Sequence, residues 1–244
     1  MGEIFCAVIS IDSVRLAGFR SRHEGWSNDF HVFGVRGVDI PAGDYFSHAV
    51  QGRLKVLTPG ELGCARSHLD AYKAFLETDA KYLLVAEDDV ELFVDSSSLI
   101  RMIRQVDTDC WLLHLGGMNK IARSRLLGRR DTQGLGLWYL PSLSWRWVWM
   151  ACGYVVDRSM AKAILAEQSR YLRVADAWGE MITRIGSGSV YFSDKSSHSH
   201  GNSSSHLASD RTNDRHILSV IIRKLFGVAC WSFLRLLGYS PVEN

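Results

Sequence analysis

The chain has 244 residues, 47% hydrophobic and 22% charged, with a formal net charge of +2 at pH 7. Such a composition fits a globular α/β-sized domain with a sizeable core, and it excludes collagen-like and disordered chains. So small a charge gives no footing for nucleic-acid binding.

Cys6, Cys64, Cys110, Cys152 and Cys230 form no CxxC pair and are odd in number. That argues against a disulfide framework or a zinc ribbon, and for a reducing compartment. The opening MGEIFCAVISID carries an acid at position 3 and only a short apolar run. It lacks the basic start and long apolar core of a signal peptide, so a mature cytosolic chain is expected.

In chain order, residues 5–10 read as a buried first strand, followed by a loop and helix bearing Arg15, Arg20, Arg22 and His23. Residues 30–35 read as a second strand, and Gly34, Gly37 and Gly43 punctuate the segment after it. Thr58 suits a helix N-cap, Pro59 the first helical position, and Glu61 completes a capping box. Leu62, Ala65, Leu69, Tyr72 and Leu76 then recur at helical spacing, predicting a helix that ends near Thr78. A strand at 82–86, a helix at 99–105 and a strand at 111–115, closing at Gly116-Gly117, come next. Strands alternating with helices predict an α/β fold with a mixed, largely parallel sheet.

Residues 119–137 are basic and glycine-containing and read as an exposed excursion. The aromatic, β-branched run 145–156 reads as a strand, with Asp157 or Ser159 capping the helix after it. Residues 187–194 read as a short late strand, and 196–206 as a polar loop containing His198, His200 and His206. This divides the chain into a domain over 1–195, a linker over 196–215 and a helical tail over 216–244. The tail mixes many apolar residues with Arg223, Lys224 and Arg235. Those charges disfavour a membrane span; a basic amphipathic helix suits an anionic bilayer surface, the alternatives being docking on its own domain or a homodimer interface.

The chemistry concentrates where the run LLVA ends in Glu87, Asp88 and Asp89, with Glu91 beyond. Ligands bind at the carboxyl ends of strands in open α/β sheets. If the strand geometry persists, Glu87 and Asp89 share one face and can share Mg²⁺ or Mn²⁺. The competing reading is a solvated acidic strand end.

LTPGELGCARSHLDAYKAF followed by YLLVAEDDVEL resembles the signature of glycosyltransferase family 25, the lipooligosaccharide sugar transferases. Gly60, Glu61, Leu62, Gly63, Cys64, Ser67 and His68 match the capped helix, and Glu87, Asp88 and Asp89 match the acidic strand end. VISIDSVRLAGFR, FHVFGVRGVDI, ACGYVVDRSMAKAIL and VADAWGEM resemble the family's flanking segments more loosely; Ala151 and Asp157 depart from the pattern.

The resemblance implies a GT-A-like, Rossmann-type domain that binds a nucleotide-sugar. It implies an inverting, metal-dependent transfer of a hexose from a UDP-sugar, UDP-galactose as first choice, to a lipooligosaccharide or other glycan acceptor. Mn²⁺ or Mg²⁺ would be held by Glu87 and Asp89, with His198 as a further ligand. Ser10, Arg15, Ser67, His68, Asp88 and Gly153 would contact the donor. Asp176 is the first candidate for the base and Glu180 the second; a helix N-cap and a solvated helix charge are their structural alternatives. Aromatic residues Trp138, Tyr139, Trp145, Trp147 and Trp149 offer an acceptor platform or core filling. A hydrolase using the same acids, and a non-catalytic membrane-associated carbohydrate-binding relative, remain the other readings. The expected place of action is the cytoplasm or the inner face of the inner membrane.

Overall fold

The computed structural model describes residues 2–26, 30–118, 123–132, 134–198 and 217–242, with side chains throughout except at His198 and residues 217–226. The expectations for residues 199–216, including His200 and His206, lie outside the described residues.

The strands are β1 (Ile4–Ile9), β2 (Phe30–Phe33), β3 (Tyr82–Glu87), β4 (Val90–Leu92), β5 (Trp111–Gly116), β6 (Leu127–Arg130), β7 (Trp138–Leu140), β8 (Gly153–Asp157), β9 (Ser189–His198) and β10 (Ser240–Pro241). The α-helices are α1 (Ser13–Arg22), α2 (Ala42–Tyr45), α3 (Pro59–Leu76), α4 (Ser96–Ile103), α5 (Arg158–Arg170), α6 (Trp178–Ile185) and α7 (Ile217–Leu236). The sheet runs β10-β6-β7-β9-β5-β8-β3-β1-β2, with β4 paired to β9. β2, β1 and β3 are parallel; β8 runs against both β3 and β5, and β9 is parallel to β5. Five strands, β2, β1, β3, β5 and β9, therefore point one way around the reversed β8, a mixed and largely parallel α/β sheet as the sequence predicts.

Strands buried on both faces explain the unbroken apolar runs. β1 sends Ala7 and Ile9 to one core and Cys6 and Val8 to the other; β3 divides Leu83 and Val85 from Leu84 and Ala86 in the same way. The first core is closed by Phe75 of α3, Met160 and Ile164 of α5, and Trp178 and Ile182 of α6. The second is closed by Phe19 of α1 and by Leu99, Met102 and Ile103 of α4.

α3 begins as its sequence dictates. The Thr58 hydroxyl accepts from the Glu61 N–H, and the Glu61 carboxylate accepts from the Thr58 N–H. Its Gly63 lies so close to the chain leaving β2 that a Cβ would stand 2.4 Å from the Val35 carbonyl oxygen.

Three expectations change. Residues 119–137 are not simply an exposed excursion: Leu126 and Leu127 are fully buried, and β6 pairs with both β7 and β10. Within 145–156 only the last part is strand; Ser142–Trp147 is a 3-10 helix, and Met150 turns the chain at φ 71. The late strand is ten residues long and runs to His198.

Candidate active site

The chain leaves β1 through α1 toward β2, then returns through α3 to β3 on the other side of β1. That reversal, with α1 and α3 closing opposite faces of the sheet, puts the switch point, where open α/β sheets bind ligands, at the carboxyl ends of β1 and β3. Ser10 follows β1, and Glu87 closes β3.

β3 stops at Glu87 and β4 starts at Val90, so Asp88 and Asp89 form a turn and the i, i+2 alternation does not carry past Glu87. One guanidinium serves both turn acids: Arg15 Nη2 lies 2.6 Å from Asp88 and 2.8 Å from Asp89. Ser10 donates its hydroxyl to Asp88 at 2.7 Å, and Arg22 donates to the Asp88 backbone carbonyl at 2.8 Å. Asp88 is 5% exposed. Burial pushes its carboxyl above the ordinary range, and the charges of Asp89 and Glu87 add to this; Ser10 and Arg15 oppose the shift without cancelling it. Three acids stand here with two guanidiniums, so the switch point retains a deficit of positive charge. A hard divalent cation would supply the missing charge; Glu87 and Asp89 are the carboxylates that would hold it, although the turn takes away the strand face expected of them and Arg15 already pairs with Asp89.

Glu87 meets different company from its neighbours. Its Oε1 is 3.8 Å from His68 Nε2, and Cys64, His68 and Glu87 offer ligand atoms all within 4.8 Å of one another. Cys64 and His68 share a face of α3, four residues apart. His68 Nδ1 hydrogen-bonds to the Tyr154 hydroxyl at 2.7 Å, and Tyr72 donates to that same hydroxyl at 2.8 Å. Ser67 is enclosed: it donates to the Gly63 carbonyl and accepts from the Val35 N–H, fixing the helix against the exit of β2. Gly153 is buried in β8 opposite Ala86.

Asp176 is half-buried in the turn before α6, whose N-cap is Ala177 and not Asp176. Trp178, two residues on, packs edge-on against Tyr154 with ring centroids 4.7 Å apart and donates its indole N–H to the Met150 carbonyl. Glu180 is held by Arg173 at 2.9 Å and Arg184 at 3.3 Å. Partial burial would raise its carboxyl, but the two arginines outweigh this and hold it below the ordinary range. A carboxylate held so is a poor proton acceptor. His198 stands opposite Val90 at the end of the β9–β4 pairing, placing its backbone near the acidic turn. Of the aromatic residues, Trp138 and Trp145 are core while Tyr139 and Trp149 are exposed.

Of the basic residues that the sequence places after the first strand, Arg22 is the one that joins Arg15 at the acidic turn, through the Asp88 backbone carbonyl. The signal for it lies in the spacing, because residues seven apart stand on one helix face and residues five apart do not. A cleft of about 670 Å³ opens on the outer side of α3, beside Arg53, Arg66, Lys73 and Arg170, and does not include the acids.

Part of the chain, the stretch that carries α3 and the acidic turn, is similar to glycosyltransferases. The family whose sequence model matches is glycosyltransferase family 25 (LPS biosynthesis protein), over residues 42–125. That is about a third of the chain, and it contains α3 and the acidic end of β3. Among curated proteins none matches. Solved structures with a similar course of chain include A197 from STIV, at 13% identity over 87% of this chain and 99% of that one, TM-score 0.43. A mannose-1-phosphate geranyltransferase from Thermus thermophilus matches at 13% identity over 79% and 74%, TM-score 0.44. The galactosyltransferase LgtC, in complex with donor and acceptor sugar analogs, matches at 13% identity over 76% and 72%, TM-score 0.32. Likenesses this remote bear on neither site nor reaction.

Proposed function

We propose that the protein transfers a hexose from a UDP-sugar, UDP-galactose as first choice, to a hydroxyl of a lipooligosaccharide or other glycan, with inversion. The observation that carries this reading is the acid cluster of Asp88, Asp89 and Glu87, short of positive charge, at the switch point beside Arg15 and Arg22. Mn²⁺ or Mg²⁺ held by Glu87 and Asp89, with His198 as a further candidate, would neutralise charge on the donor diphosphate. Arg15 and Arg22 orient the phosphates, and Ser10 holds Asp88 in place. Asp176 accepts the proton of the acceptor hydroxyl. The acceptor oxygen bonds to the anomeric carbon as the bond from that carbon to the diphosphate oxygen breaks, and UDP leaves with the electron pair.

The test is UDP release over a panel of UDP-sugars with Mn²⁺, with analysis of the glycan product. Asp89→Asn and Asp176→Asn are each expected to lose at least ~100-fold in turnover while keeping the fold. Full turnover by Asp89→Asn removes the metal assignment, and full turnover by Asp176→Asn removes the base. Free sugar without a glycosylated product turns the reading to a hydrolase.

The tail fits an anionic membrane surface. Val228, Phe233, Leu236 and Leu237 are exposed beside Arg235, and the basic strand β6 joins them through Arg129, stacked on Tyr239 at 4.6 Å. On this reading the protein works at the cytoplasmic face of the membrane that carries its acceptor. Flotation with anionic vesicles, lost with neutral vesicles and in Phe233→Ser/Leu236→Ser, is expected. A concentration-dependent dimer without flotation assigns the same face to a second copy instead.

A further inference from the structure

We propose a second metal site, formed by Cys64 Sγ, His68 Nε2 and a Glu87 carboxylate oxygen, for a thiophilic divalent cation of the Zn²⁺ class. The three ligand atoms lie within 4.8 Å of one another and come from two rigid elements, α3 and the end of β3. His68 is 3% exposed, and its Nε2 is buried with no hydrogen-bond partner. A buried ring nitrogen left this way is costly unless something completes it. Glu87 does not: at 3.8 Å the contact is too long for a hydrogen bond. It is close to the ~3.3 Å that a nitrogen and an oxygen subtend across a tetrahedral ion with bonds of about 2.0–2.1 Å.

The outer partners agree. A histidine ligand donates its second ring N–H to an acceptor, which fixes the ring. Nδ1 lies 2.7 Å from the Tyr154 hydroxyl, whose position Tyr72 secures. The Tyr154 hydroxyl already accepts from Tyr72, so the tautomer with the proton on Nδ1, which turns the Nε2 lone pair toward Glu87, is the one a bound ion would select. Sulfur, nitrogen and carboxylate together select Zn²⁺ over Mg²⁺ or Mn²⁺, and three protein ligands leave a fourth position open. Binding releases the Cys64 thiol proton to solvent. Cys152, the other nearby thiol, is fully buried; burial first, then the Glu87 charge, keeps it protonated. Glu87 is shared with the proposed donor-site cation, to which it would offer its second oxygen beside Asp89; Cys64 and His68 belong to this site alone.

The experiment loads the full chain with Co²⁺ under reducing conditions and records its absorption. One equivalent is expected to give the thiolate-to-cobalt charge-transfer band, which Zn²⁺ then displaces. Cys64→Ala is expected to lose the band, and Cys64→Ala and His68→Gln each to weaken Zn²⁺ binding by more than ~100-fold, with circular dichroism showing that the fold persists. Asp89→Asn is expected to keep the band, which separates this site from the donor-site cation whatever becomes of activity. Absence of the band in the wild type, or its survival in Cys64→Ala, overturns the proposal.

Discussion

Arg15 is the residue on which the acidic turn depends. Through one nitrogen, Nη2, it meets two carboxylates at once, and Asp88 is only 5% exposed. Arg15→Gln is expected to lower the unfolding free energy by about 2 kcal/mol, below the usual loss for a buried pair because Arg15 is partly solvated. Adding Asp88→Asn should recover about half, since the stranded charge is then removed. Urea unfolding at neutral pH reads both. His114 supplies a pH dependence of its own. It is buried, donates from Nε2 to the Met150 carbonyl and accepts at Nδ1 from the Gly116 N–H, so it sits neutral; burial lowers its pKa from 6.5 to about 4. Between those values the unfolded chain binds a proton that the folded chain refuses. Stability therefore falls as pH drops from 6.5 toward 4, by up to roughly 3 kcal/mol from this group. Urea midpoints across that range should show the slope, and His114→Gln should flatten it even where overall stability is lower.

At the scale of elements, α3 separates what is local from what is not. Its start is written in Thr58, Pro59 and Glu61, three residues that satisfy one another, and the sequence was enough to find it. Thr58→Ala should cost about 1 kcal/mol. Gly63 gave no such signal. Its reason is the Val35–Gly37 backbone, which lies 28 and 26 positions earlier and meets the helix only in the folded state. Gly63→Ala should cost about 3 kcal/mol, more than Thr58→Ala, because the opposing atoms are backbone and cannot turn aside. Thermal or urea unfolding of both variants ranks them, and equal losses would contradict the close-approach account. The run 145–156 shows the opposite limit. Aromatic and β-branched residues fit a strand or a buried turn equally, and the Met150 carbonyl, held by His114 and Trp178, decides where the strand starts.

On the scale of the molecule, the chain's end closes an edge begun more than a hundred residues earlier. β10 pairs with β6, the Val242 N–H donates to the Leu126 carbonyl, and Val242 enters the first core. Among the described side chains of the tail helix, Cys230 and Leu234 are buried while Phe233 and Leu236 stay exposed. Among the described residues no helix is long and apolar enough to cross a membrane. Removing residues 240–244 should lower the melting temperature by roughly 5 °C, the consequence of losing about 2 kcal/mol of apolar burial and edge pairing. A thermal melt without change would mean that the tail adds nothing to the fold. Docking of the tail on its own domain was one of the alternatives the sequence left open, but the β6–β10 edge was not legible, because Leu126 and Leu127 lie within a basic stretch whose strand partner is remote in sequence.

What the sequence by itself determined is local or periodic: the alternation of strands and helices, the capped start of α3, and three acids at the end of a buried strand. Those follow from propensity, capping and apolar spacing, all within a few residues. The family resemblance rests on the same short stretch, and the family match covers it. What only the tertiary structure decided is which charge meets which. Continued alternation would have set Glu87 beside Asp89, but the chain turns at Asp88. Arg15 then takes Asp88 and Asp89, while Glu87 swings to Cys64 and His68 on α3. Strand register and helix packing bring those groups together across 19 to 74 positions of chain, and no local pattern encodes contacts at that separation.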